Sequence, residues 1–230
     1  MLVPTDRAQT ANAVPATSSD TVGDWAHSGL LSHPAQWLKR AIDLPIAILL
    51  CVLLFPLFAF IAIAITLDSR GPVFFRQRRY GLGFQPFTII KFRSMQYETP
   101  DPHETETNSS YPRITRVGAW IRRTGLDELP QLFNVIGGSM SLVGPRPLIE
   151  SESREHLACH RERFRTKPGI TGLQQINVRN PLDAETRADW DIEYVRRWNP
   201  LLDFEIMLKT PRSLLHGDDI SYEPDDILGR

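Results

Sequence analysis

Residues Leu44 to Leu67 read LPIAILLCVLLFPLFAFIAIAITL, a run without a single charged side chain. At the helical rise of 1.5 Å per residue it would extend about 36 Å, more than a hydrocarbon core of about 30 Å, so a soluble core helix is not expected. Pro56 stands near its middle, where it removes a backbone donor and collides with the preceding turn; a continuous helix should kink there. Lys39 and Arg40 precede the run, and Arg70, Arg76, Arg78 and Arg79 follow it. Basic flanks tend to stay cytoplasmic, which suits a bent segment entering and leaving one leaflet better than a single crossing, although these residues alone leave both open. Pro45 is either an early residue of a helix capped by Asp43 or a second kink. A cleavable leader is not expected, because about forty polar or mixed residues precede the run and no small-residue cleavage site follows it.

Outward from this segment, 230 residues suit one domain with appendages. A net charge of −1 and a pI near 6.6 give no case for a nucleic-acid partner. Cys51 and Cys159 are far apart in the chain and suggest neither a disulfide framework nor a Cys-rich metal site, so a reducing compartment fits.

Residues 1–33, rich in Ala, Thr, Ser, Asp and Pro, read as a disordered tail. Residues 34–68 form the membrane segment, approached through PAQWLKRAI, whose Trp37, Leu38 and Ile42 alternate with Lys39 and Arg40 as at a membrane interface. Residues 69–215 make the main domain, and 216–230, with Asp218, Asp219, Glu223, Asp225 and Asp226, an acidic tail. GPVFFRQRRYG and FQPFTIIKFRSM predict a β-hairpin around Gly81-Leu82-Gly83. Residues 98–112 read as an exposed loop. Helical spacing follows over Ile114–Arg123 and Leu126–Ile136, the latter with Leu126, Leu129, Leu132, Phe133 and Ile136 on one face, and again over Ser151–Phe164 and Asp183–Trp198. Leu201–Leu215 is amphipathic and suits either core packing or a headgroup layer, with the aromatic residues assigned to the core. The fold class is α+β, a small, mainly helical domain with a short β-hairpin.

Chemistry concentrates in TGLDELPQLFNVIGGSMSLVGPRP, residues 124–147. Asp127 and Glu128 can attack phosphorus or hold a divalent cation, yet acids at a helix start are also ordinary, because the macrodipole favours negative charge there. Arg146, between two prolines, presents a guanidinium on a stiff loop, suited to phosphate oxygens or simply to a rigid turn. Lys91 and Arg93 fall on one side of a strand as a cationic pair, and Arg122 with Arg123 precedes the acids by about one helical turn. His156 and His160 have a metal-compatible spacing, but no HExxH surrounds them, and neither a GxxxxGK[ST] loop nor a GxSxG elbow is present. Gly137-Gly138 reads as a helix cap.

Taken in order, KRAID, the apolar run with Pro56, LDSRGPVFFRQRRYG, FTIIKFRSM, RITRVGAWIRRTGLDELPQLFNV, MSLVGPRPL, KPGITGLQQIN and the segment from YVRRW to LLDFEIMLKT resemble the bacterial sugar transferases, the monotopic polyprenyl-phosphate phosphoglycosyl transferases. The resemblance runs from about Lys39 to Leu215. It implies an enzyme of the bacterial inner membrane, its catalytic domain on the cytoplasmic face, that moves a sugar phosphate from a UDP-sugar to polyprenyl phosphate and releases UMP. Asp127 is implied as the nucleophile, Glu128 as its partner in holding Mg²⁺, and Lys91, Arg122 and Arg146 as phosphate-binding residues. Pro56 matches the helix-breaking proline of a re-entrant membrane helix. Membrane lipid is then a partner, and a second copy of the chain a candidate one. Three departures stand out: Phe55 where relatives commonly carry Ser before the proline, Ser139 for an Asp in a GDMS segment, and Val178 for a Gly in an NGRN segment. The competing reading is a membrane-attached protein that binds nucleotide sugars or partners without catalysis, its acid pair serving only as a helix start.

Overall fold

Pro56 divides the apolar run into two helices. In the computed structural model, which describes residues 33–96, 114–153, 160–177 and 184–215, α1 (His33–Leu53) and α2 (Phe55–Asp68) meet at Leu54 with a bend of 60°. Pro56 occupies the first turn of α2, where a missing N–H costs least and its fixed φ suits a new helix. The break leaves neither helix long and apolar enough to cross a membrane alone. Pro45 lies inside α1, so the helix has already begun when it is reached.

Helix α2 is apolar on all sides, yet only one side is packed. Phe58, Ile61 and Ile65, at helical spacing, are buried, with Phe58 meeting Phe92 at 5.5 Å and Phe133 at 5.7 Å between ring centroids. Burial of each such side chain contributes about 1.5 to 3 kcal/mol. The opposite side leaves Phe55 at 69% and Leu67 at 84% exposure, together with Phe60 and Ile63.

The end of α2 is tied down twice. Arg93 donates to the carbonyls of Ser69 and Arg70 and to Ser69 Oγ, and Asp68 Oδ2 accepts from the backbone N–H of Val117. Strands β1 (Phe74–Tyr80) and β2 (Pro86–Phe92) form the expected antiparallel hairpin, running from Phe74 opposite Phe92 to Tyr80 opposite Pro86. Helix α3 (Arg116–Arg123) starts at Thr115, whose Oγ1 accepts from the N–H of Gly118.

Leu126–Ile136 is not one helix. A single 3₁₀ turn, Leu126–Glu128, is followed by α4 (Gln131–Ile136), with Pro130 at the junction. This turns Phe133 outward at 44% exposure while Leu132 and Val135 enter the core. Gly137 and Gly138 close α4 as expected, Gly138 at φ 84°. Short strands β3 (Ser141–Val143) and β4 (Gly169–Thr171) pair in parallel.

Helices α5 (Leu173–Asn177), α6 (Ala184–Arg197) and α7 (Pro200–Leu215) complete the described chain. Tyr194 of α6 is fully buried, whereas Phe204 of α7 is 58% exposed beside Leu201 and Leu208, so the aromatic residues do not all join the core. Ile206 faces inward. Lys39 of α1 meets Asp203 of α7 at 2.6 Å, and Asp203 also accepts from Tyr194 Oη and Trp198 Nε1. The architecture is α+β. Residues 1–32, the acidic tail, the 98–112 loop, most of 151–160 and Val178 lie outside the described residues, and His33, assigned to the first tail, is instead the first residue of α1.

Candidate functional site

Gly125, at φ 67°, turns the chain sharply out of α3 and delivers the Leu126–Glu128 turn to the hairpin. Lys91 of β2 points its Nζ at Glu128 Oε1 across 3.3 Å, with both side chains mostly withdrawn from solvent. Asn134 of α4 locks this arrangement, accepting from the N–H of Ile90 and donating to the carbonyl of Thr88, so the strand carrying Lys91 cannot slide past the acid turn.

The cleft around Glu128 is lined by Lys91, Arg79, Arg146, Gln131 and Gln175. Burial and then the charge of Glu128 push Asp127 up to about 6, against the pull of Lys91 and Arg122. Burial would also raise Glu128, but Lys91, Arg146 and Arg79 outweigh it and hold that carboxyl below its ordinary value. The adjacent acids are thereby pushed apart in character, one near neutrality and one firmly anionic. Arg122 keeps its station through a 2.7 Å bond from Nε to Ser94 Oγ.

Arg146 is positioned from behind. Arg163 Nη2 donates to the backbone carbonyl of Arg146 at 3.2 Å and to Asp191 Oδ2 at 2.6 Å, and Arg163 and Asp191 are both buried. The Pro145-Arg146-Pro147 loop is thus held by a charge pair as well as by its prolines.

A carboxylate pair inside a ring of cations is the arrangement expected for a diphosphate and its counter-cation. A family model described as bacterial sugar transferase matches residues 34–217. The chain belongs to the bacterial sugar transferase family. It is 42% identical over 196 residues to the UDP-glucose:undecaprenyl-phosphate glucose-1-phosphate transferase of Escherichia coli K12, covering 78% of this chain and 40% of that protein. It is 45% identical over 188 residues to an undecaprenyl-phosphate glucose phosphotransferase of Komagataeibacter xylinus, covering 75% and 35%. A relative in Caulobacter vibrioides, named as the same UDP-glucose enzyme, is 40% identical over 189 residues, covering 79% of this chain and 71% of the relative. The chain thus spans two fifths or less of the length of the first two relatives.

Of the residues singled out in this family member's sequence, Glu128, Lys91 and Arg146 line one cleft, and Asp127 and Arg122 adjoin it. Arg93 does not join them. Although two residues from Lys91, it lies just past the end of β2, and its Nη1 and Nη2 are hydrogen-bonded at the end of α2, a structural tether rather than a phosphate contact. Ser139 bonds to Asn134 at the end of α4.

Arg79 was legible only as one of the basic residues after the apolar run, yet it is buried and lines the cleft. The hairpin register, Arg79 opposite Phe87, is the signal that separates it from exposed Arg76 and Arg78. Gln131, Gln175, Arg163 and Asp191 carried no spacing signal, since strand and helix packing alone bring them to the site.

Proposed function

We propose that the chain transfers a hexose 1-phosphate from a UDP-hexose to polyprenyl phosphate, at the cytoplasmic face of the bacterial inner membrane, initiating a surface glycan. The observation that carries this reading is the Asp127–Glu128 turn with Lys91 on Glu128 and the charges of Arg146, Arg79 and Arg122 around the two acids. The names of the relatives point to the same donor and acceptor, with UDP-glucose the first donor to test.

In the first step a carboxylate oxygen of Asp127 attacks the β-phosphorus of the UDP-sugar. An O–P bond forms to the aspartate, the bond from that phosphorus to the bridging oxygen breaks, and UMP departs with the electron pair. In the second step an oxygen of polyprenyl phosphate attacks the same phosphorus, the aspartyl O–P bond breaks, and the Asp127 carboxylate returns. Lys91, Arg79 and Arg146 stabilise charge on the phosphoryl oxygens throughout.

The acids fit a magnesium ion. Hard carboxylate oxygens from two adjacent residues, one of them raised by burial and then by the charge of the other, suit a cation that completes its shell with substrate phosphate and water. Asp127 and Glu128 would hold it, and it would supply charge neutralisation at the diphosphate.

The 60° bend and the uncovered apolar side of α2 support a re-entrant helix pair, since side chains such as Phe55, Phe60, Ile63 and Leu67 cost free energy in water and none in lipid. A phosphoglycosyl transferase and a glycosyl transferase using the same donor differ in leaving group. Incubation with UDP-glucose, polyprenyl phosphate and Mg²⁺ should therefore release UMP; release of UDP, or of neither nucleotide, would contradict the proposal.

A further inference from the structure

A second cleft, sharing no residue with the catalytic one, opens between the first turns of α1 and the 166–168 turn that leads into β4. Gln36, Lys39 and Arg40 line it from the helix, and Ser141, Thr166 and Lys167 from the domain. Lys39 is paired with Asp203, and Asp43, which accepts the hydroxyl of Ser141 at 2.6 Å, stands in the same cleft as a carboxylate whose charge also acts on Lys167. Arg40 uses Nη1 and Nη2 on the carbonyls of Val135 and Ile136 at the end of α4, leaving other guanidinium N–H groups available. Lys167, half-buried, has no hydrogen-bonded acceptor among the described residues.

The two cations approach each other beside Gly138. A methyl group placed on Gly138 would stand in ordinary contact with both, 3.8 Å from Nη2 of Arg40 and 3.9 Å from Nζ of Lys167. Gly138 holds φ 84°, so the chain keeps a residue without a side chain there. Burial, followed by the charge of Arg40, lowers the Lys167 ammonium below its ordinary range, against the pull of Asp43. Asp43 offsets one of the two positive charges, and the one that remains, partly out of water, favours an anion.

We infer that this cleft is a phosphate-binding site, in which Arg40 and Lys167 grip the oxygens of one phosphate group outside the catalytic centre. Arginine supplies the planar fork and lysine the point charge, the pairing that suits a tetrahedral oxyanion. Trp37, 73% exposed, and Leu38 lie on the same turns just before the apolar run, which places the cleft at the headgroup level of the proposed membrane helix. A phospholipid headgroup and a soluble phosphate share this chemistry, and only the lipid source rests on the membrane reading.

The full-length protein in detergent is titrated with phosphatidylglycerol, and with diacylglycerol as the phosphate-free control, bound lipid being counted by native mass spectrometry. A separate arm titrates inorganic phosphate and reads thermal stabilisation. Wild type and Lys167→Arg should bind saturably, and Lys167→Gln should weaken binding about tenfold, as expected for loss of one charge-assisted hydrogen bond. Dependence on Lys167 in the lipid arm, absent with diacylglycerol, assigns a headgroup; dependence in the phosphate arm alone assigns a soluble ligand. Equal binding by wild type and Lys167→Gln in both arms, or no saturable binding in either, overturns the site. Release of UMP is a separate readout, which Lys167→Gln should leave unchanged even where binding is lost.

Discussion

Lys91 on the hairpin and Glu128 on the acid turn face each other at 3.3 Å, and the same ammonium lowers the proton affinity of both Asp127 and Glu128. Lys91→Met should therefore raise both carboxyl values. The acid limb of the pH–rate profile should move to higher pH, and kcat at the optimum should fall on the order of 10²-fold, as when one oxyanion-stabilising donor is removed. A steady-state pH series checks both; an unmoved limb would show that Lys91 does not set the charge of the pair.

Asp127 also leaves a stability signature. Its carboxyl titrates at about 6 in the folded chain against an ordinary 3.8, so the folded state binds more protons than the unfolded state between those values, and stability falls as pH rises through this window. Asp127→Asn should accordingly be more stable than wild type at pH 8, on the order of 1 to 2 kcal/mol, with the gain absent below pH 4. Glu128 has the opposite sign. Its lowered carboxyl adds stability above its ordinary value that is lost as pH falls through the folded one. Thermal melts of Asp127→Asn and Glu128→Gln across pH separate the two.

Behind the cleft, Asp191 and Arg163 form a buried pair at 2.6 Å that also supports the carbonyl of Arg146. Asp191→Ala leaves a buried guanidinium without its counter-charge and should cost about 3 to 5 kcal/mol. Urea unfolding measures this. In Asp191→Asn, which keeps the shape, KM for the UDP-sugar should rise as the Arg146 loop loosens.

The bend at Leu54 sets the topology prediction. With Cys51 and Cys159 replaced by Ser, single cysteines at Gln36 and Arg70 should react with a membrane-impermeant reagent from the same side. Opposite-side labelling would require the helix pair to cross the bilayer, contrary to the proposed re-entrant geometry.

Much of this was legible from residue pattern. The apolar run with Pro56 predicted two bent helices, and Gly81-Leu82-Gly83 between aromatic-rich stretches predicted the hairpin, because both signals are local. The acid pair and the Arg146 loop stood out for the same reason. Residues whose role depends on distant partners did not. Lys39, Arg40 and Arg79 read as membrane flanks, yet they serve Asp203, the end of α4 and the cleft around Glu128. Arg93 shows the converse, a residue at the right spacing from Lys91 whose guanidinium is taken up by the end of α2. The break of Leu126–Ile136 at Pro130 followed from a known rule for proline, but Gly125 in the left-handed region, which aims the acids at the hairpin, became visible only with the backbone.

The central claim is that Asp127 carries the phosphosugar between donor and acceptor. Its most direct test is to mix the wild-type protein with UDP-glucose and Mg²⁺ in the absence of polyprenyl phosphate, quench in acid, and map the peptides by mass spectrometry alongside UMP release. A burst of UMP stoichiometric with enzyme, with one hexose phosphate on Asp127, is the predicted result. Absence of any adduct together with full turnover by Asp127→Asn would contradict it.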